Sequence, residues 1–89
     1  MPTIAVFYGI VIQMYWRDHA PPHLHAFYQG FEGLISLETG EVIGGLLPPN
    51  ATRILRQWVL LRKAELRENW RRARAGVPLE RVPGPDEEV

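Results

Sequence analysis

All three histidines of the chain lie between positions 19 and 25, in the stretch Arg17-Asp18-His19-Ala20-Pro21-Pro22-His23-Leu24-His25. Three chemistries use such a cluster. His-x-His on a strand, completed by His19 or Asp18, supplies nitrogen and oxygen ligands for a divalent metal such as zinc, with His19, His23 and His25 as the candidate set. His23 and His25 as general acid and base, oriented by Asp18 or His19 with Arg17 as phosphate clamp, suit metal-independent RNA cleavage that needs no cofactor. Imidazoles near their ordinary pKa also make a pH-responsive contact surface. Against all three stands a plainer alternative, in which the histidines cap the proline loop through hydrogen bonds.

A second feature is a run of charge. Residues 53–74 carry eight basic and two acidic residues, a local net of +6. On a helical wheel Arg53, Arg56, Lys63, Arg67, Arg71 and Arg74 fall within about an 80° arc. Lys63–Arg67 and Arg67–Arg71 are then like-charge neighbours, each costing about 0.2–0.5 kcal/mol. Such a stripe fits an anionic partner, RNA, DNA or an acidic protein surface. It equally fits a solvated face neutralised by the acidic C-terminal residues or by Glu38 and Glu41.

The elements that must position these residues follow from periodicity. Residues 3–8 and 10–16 are rich in β-branched and aromatic side chains and are divided by Gly9. Alternation sets Ile10, Ile12, Met14 and Trp16 on one face, and the prolines at 21 and 22 end ladder pairing. Residues 23–28 and 31–37 form a hairpin about Gln29-Gly30, a two-residue turn. That register opposes Phe27 to Glu32, His25 to Leu34 and His23 to Ser36. It sends Leu24, Ala26, Ile35 and Leu37 to the helix side and the imidazoles to an outer or cleft face. A fifth strand covers residues 41–47. Pro48-Pro49-Asn50 stops the sheet, with Asn50 as the expected N-cap, and Gly76 closes the helical region. Apolar residues between 54 and 73 fit one continuous helix, the preferred form, or a helical hairpin broken near 62–65. The expected fold is α+β: an antiparallel meander of about five short strands, with one long helix or a helical hairpin on one face.

Composition bounds the rest. The chain has 89 residues, 46% hydrophobic, with ten basic and ten acidic groups. This length suits one domain, placed at residues 1–76, with residues 77–89 as a proline-rich acidic tail, extended or disordered. With no cysteine, disulfides, thiolate metal sites and cysteine nucleophiles are excluded. A staple-free domain this small leans on packing or on homo-oligomerisation. The apolar run at 4–16 is too short to span a bilayer and lacks a basic lead-in, so no membrane association and a cytoplasmic location are expected. The zero net charge is a sum of −3 for residues 1–52, +6 for 53–74 and −3 for the remainder.

Several segments together resemble domain of unknown function family 4160 (DUF4160). They are Met1-Pro2-Thr3-Ile4, Phe7-Tyr8-Gly9-Ile10-Val11-Ile12, Met14-Tyr15-Trp16-Arg17-Asp18-His19, Pro21-Pro22-His23-Leu24-His25-Ala26, and Glu65-Leu66 with Glu68-Asn69-Trp70 and Ala73. The resemblance covers roughly residues 1–80. It implies a small prokaryotic protein, one component of a toxin–antitoxin-like pair whose other member is a small cognate protein of family DUF2442. The segment Val59-Leu60-Leu61-Arg62-Lys63 departs from the family pattern, in which relatives carry more acidic residues here.

Overall fold

Two left-handed turns set the sheet. Tyr8-Gly9 and Gln29-Gly30 have positive φ at both positions (51° and 78°, 48° and 84°), the backbone of a two-residue hairpin turn whose twist matches its strands. The computed structural model describes residues 2–87. Its strands are β1 (Thr3–Phe7), β2 (Ile10–Gln13), β3 (His23–Tyr28), β4 (Phe31–Ser36) and β5 (Val42–Gly45), in one antiparallel sheet ordered β1-β2-β3-β4-β5. Two helices follow, α1 (Pro49–Leu61) and α2 (Lys63–Ala75), giving the α+β meander with a broken helical cover. The β3–β4 register opposes Phe27 to Glu32, His25 to Leu34 and His23 to Ser36, as the turn length requires.

One sheet face is fully apolar. Ile10, Ile12, Met14, Leu24, Ala26, Ile35 and Leu37 are buried beneath Leu55, Trp58, Val59 and Leu66 of the helices. Trp16 is an exception to the alternation of the second strand. The ladder ends at Gln13, and Trp16 sits half-exposed in the following loop, its indole N–H donating to the Val77 carbonyl at 3.2 Å.

The helical region is broken at Arg62 (φ −104°, ψ 25°), not continuous. Two 13-residue helices joined straight through Arg62 would make a rod of about 40 Å at 1.5 Å per residue. The molecule is only 33 Å in its longest dimension, so a straight rod would overrun the sheet. Arg62 also falls on the inward stripe, between Val59 and Leu66. Its side chain is largely enclosed and reaches Glu65 at 3.3 Å. Asn50 is not the N-cap either. The chain enters α1 through Pro48 with Pro49 at the first helical position, where a missing N–H costs nothing, and the Asn50 side chain accepts from Arg53 instead.

The residues after α2 run extended and are fastened to the domain. Gly76 terminates the helix in a left-handed conformation. Asn69, buried on the apolar face of α2, clamps the Glu80 backbone by donating to its carbonyl (2.7 Å) and accepting from its N–H (2.8 Å). Val82 is buried and its N–H donates to the Ile4 carbonyl at 2.8 Å, while the Trp58 indole donates to the Pro83 carbonyl at 2.7 Å. Residues 88 and 89 of the expected tail lie outside the described residues.

Glycine is demanded most strongly at Gly45, where φ is +71° and a Cβ would collide with the Glu32 backbone carbonyl. Gly30 has similar φ but open space around it. Gly30→Ala is expected to cost about 1–2 kcal/mol for the left-handed backbone alone. Gly45→Ala should cost clearly more, because backbone must also move. Urea unfolding midpoints of the two variants check this order.

Candidate functional site

The alternation of β3 decides where its histidines go. Leu24 and Ala26 enter the core, so His23 and His25 project from the opposite face, side by side with their ring centroids 5.2 Å apart. That is the outer or cleft face expected from the pattern, on the side away from the core, but it is not open. The loop of residues 14–22 folds back over it, and His23 and His25 are only 8% and 9% exposed. The fold-back is fixed by non-local bonds. Arg17, at φ +59°, gives its backbone N–H to the Ala73 carbonyl at 3.1 Å, and Leu37 N–H donates to the Pro22 carbonyl at 3.0 Å. Tyr15 stacks on His25 at 4.0 Å, and Trp70 of α2 lies against His23 at 5.4 Å.

At the centre is one oxygen. Asp18 Oδ2 lies 2.9 Å from His23 Nε2 and 3.1 Å from His25 Nε2, while Asp18 Oδ1 accepts the His19 backbone N–H at 2.8 Å. The other ring nitrogens face acceptors as well. His23 Nδ1 donates to the Pro21 carbonyl at 2.7 Å. His25 Nδ1, buried, has the Glu32 carboxylate at 3.5 Å, too long for a proper hydrogen bond. A carbonyl oxygen can only accept, so the Pro21 contact fixes a proton on His23 Nδ1. In neutral His23 the Nε2 is then a bare lone pair facing a carboxylate oxygen. Two acceptors at 2.9 Å require a cation between them, a proton or a metal ion.

The Asp18 carboxyl is pushed upward by its enclosure, but the His25 hydrogen bond, the His19 N–H and the charges of both imidazoles outweigh that, and its pKa is lowered. The Tyr15 hydroxyl is shifted the other way, raised by burial and by the carboxylates of Glu32 and Asp18, so it stays a neutral phenol.

The structure thus brings together Asp18, His23 and His25, three ligand atoms within 4.8 Å of one another. It does not bring His19 into that group. His19 is exposed and contributes its backbone N–H, because the turn that presents Asp18 inward points the next side chain out. Arg17 also stands apart, with its guanidinium beside Gly76 at the end of α2. Trp70 reads in the sequence as one more apolar helix residue, and only the tertiary fold makes it a wall of the site. Asn69 carries a signal that could have been read, a lone amide on an apolar helical stripe.

The basic stripe is partly occupied from within. Glu38 accepts Arg67 at 2.6 Å, with Lys63 at 3.9 Å, and Lys63 Nζ also donates to the Glu38 backbone carbonyl at 2.8 Å. Glu68 accepts Arg71 at 2.7 Å and Arg72 at 2.9 Å, and these bonds hold its carboxyl down at about 2 despite opposition from desolvation. Arg53, Arg56 and Arg74 have no carboxylate within 4 Å among the described residues.

Residues 9–71, well over half of the chain, match the domain of unknown function DUF4160. The chain belongs to that family. No curated protein and no solved structure matches it. In this DUF4160 chain the matched span contains Asp18, both β3 histidines, Glu32 and Trp70, so the whole constellation lies inside the family domain.

A lowered carboxyl contributes stability that is complete above its ordinary pKa, 3.8, and is lost as pH falls through the depressed folded value. Asp18→Asn is therefore expected to lower the melting temperature most above about pH 5, with the gap to the wild type closing toward pH 3. A pH series of thermal melts on the two proteins measures it.

Proposed function

We propose that this DUF4160 domain is a metal-binding protein whose site is Asp18, His23 and His25. The observation that carries this is the convergence of two Nε2 atoms on one carboxylate oxygen, with the His23 Nδ1 donating to the Pro21 carbonyl; the His25 Nδ1 has no hydrogen-bond partner among the described residues, Glu32 lying 3.5 Å away. His23 has the wiring of a metal-ligating histidine: its outer nitrogen is held by a carbonyl, which fixes the tautomer and leaves the inner nitrogen free to coordinate. Two imidazoles and one carboxylate suit zinc, iron or manganese. With bonds of about 2.0–2.2 Å, neighbouring ligand atoms of a six-coordinate ion lie about 2.8–3.1 Å apart, the spacing of the two Asp18 contacts; the three ligand atoms span up to 4.8 Å, so the imidazoles would close by a few tenths of an ångström to share one ion. Three protein ligands leave positions for water or a small anion.

RNA cleavage by His23 and His25, within a toxin–antitoxin-like pair, draws on the same imidazoles and is favoured by their common orientation on Asp18. It is weakened by their enclosure and by the placement of the guanidinium of Arg17, the expected phosphate clamp, beside Gly76.

Protein purified without chelator is expected to carry about one transition-metal ion per chain by elemental analysis, and Asp18→Asn and His25→Gln should carry almost none. Re-adding zinc or manganese to the stripped wild type at a hundredfold excess over Kd should stabilise it by about 2.7 kcal/mol, roughly 10–20 °C in a domain this size. Neither variant should shift. A wild type that neither holds metal nor shifts with either ion overturns the proposal. RNA cleavage that persists in EDTA and disappears in His23→Ala would establish the acid–base role in its place.

A further inference from the structure

The two edges of the sheet are treated differently. The outer edge of β1 is covered by the chain itself, through the Val82 bond to Ile4 and the packing of Gly84 on Phe7. The outer edge of β5 has no pairing strand among the described residues. Beside it, between residues 40–47 and α1, runs a groove of about 680 Å³ with Val42, Leu47 and Leu60 on its walls. Ile43 and Leu46 next to the groove are half to two-thirds exposed, and Leu60 is 46% exposed. Unprotected apolar residues beside a sheet edge mark a contact surface.

The charges in this groove say which contact. Glu41, Arg53 and Arg56 all line it, yet none of them meets an opposite charge within 4 Å among the described residues. The other helix cations near the sheet, Lys63 and Arg67, are already held by Glu38. A patch of arginines alone would repel its own copy. A patch holding both signs matches itself across a two-fold axis, where each residue meets the residue that meets it. The chain as a whole carries no net charge to oppose such an approach. The bulge at Ile43, where the ladder passes from Leu34↔Gly44 to Ile35↔Val42, twists this edge away from simple strand addition. Side chains in the groove, not a continued sheet, therefore make the contact.

We propose that a second copy of this chain docks on the β5–α1 groove about a two-fold axis, with Glu41 of each copy on Arg53 and Arg56 of the other. The proposal is independent of the metal site, which lies in the β2–β3 loop and β3. Sedimentation of the full chain at high micromolar concentration is expected to give a dimer. Arg56→Glu and Glu41→Arg should each weaken it at least tenfold, with unchanged circular dichroism, and the double variant should return to within about threefold of the wild type. A monomeric wild type overturns the proposal, as does a dimer indifferent to both single substitutions or one that the double variant fails to restore. A monomer that shifts only on addition of poly(U) RNA or polyglutamate overturns it as well, in favour of an anionic partner of another class.

Discussion

Asp18 joins three parts of the molecule through one carboxylate. Its Oδ2 meets both β3 imidazoles, its Oδ1 holds the turn at His19, and the residue before it ties the loop to the end of α2 through Arg17 N–H and Ala73 O. The loop of residues 14–22 has no regular hydrogen bonding of its own, so its course depends on these contacts. Without the carboxylate, two imidazoles would sit enclosed between Tyr15 and Trp70 with their inner nitrogens unmatched. An enclosed polar atom without a partner costs on the order of 1–3 kcal/mol, so the position of the loop and the state of the histidines are one problem.

The same economy runs through the helices. The sheet's apolar face needs a cover longer than one straight helix can lay down within the molecule, and the break at Arg62 lets two short helices follow it. Each helix is then pinned by polar groups. Glu38 reaches from the end of β4 to Lys63 and Arg67, and Asn69 and Trp58 hold the extended chain after Gly76. The polarised charge distribution, −3 and +6 and −3 along the sequence, is in part a description of these clamps. Three of its cationic groups, Arg53, Arg56 and Arg74, meet no carboxylate among the described residues.

Local rules made much of this legible. A two-residue turn at Gln29-Gly30 and a side-chain period of two fix every pair of the β3–β4 hairpin, so the partners of His23 and His25 could be named from sequence alone. Gly76 was legible for the same reason, because a helix end needs a left-handed residue. What failed depended on distance along the chain. The enclosure of the histidines rests on Arg17 meeting Ala73 and His23 meeting Trp70, contacts across about fifty residues that no local pattern encodes. The helix break near 62–65 was legible only as the second choice to a continuous helix, because Arg62 is neither proline nor glycine; what favours it is a charged residue on the inward stripe. His19 was grouped with the other two histidines by residue type, whereas the backbone direction of the turn selects Asp18.

A domain of this size has a net stability of about 5–15 kcal/mol to spend on anything unfavourable. Enclosing a carboxylate with two imidazoles is a poor way to gain stability, since well-packed apolar residues of similar volume are usually as good or better. Ser36, opposite His23, and Leu34, opposite His25, show that the face tolerates both polar and apolar neighbours. The trio therefore needs a reason beyond holding the loop, which Arg17 N–H, Leu37 N–H and the Trp16 indole already hold by bonds that need no ionisable group. The proposed metal ion, shared among three ligands, would supply that reason. It would neutralise the carboxylate and satisfy both inner nitrogens together, and so give the enclosed polar cluster a use as a binding site.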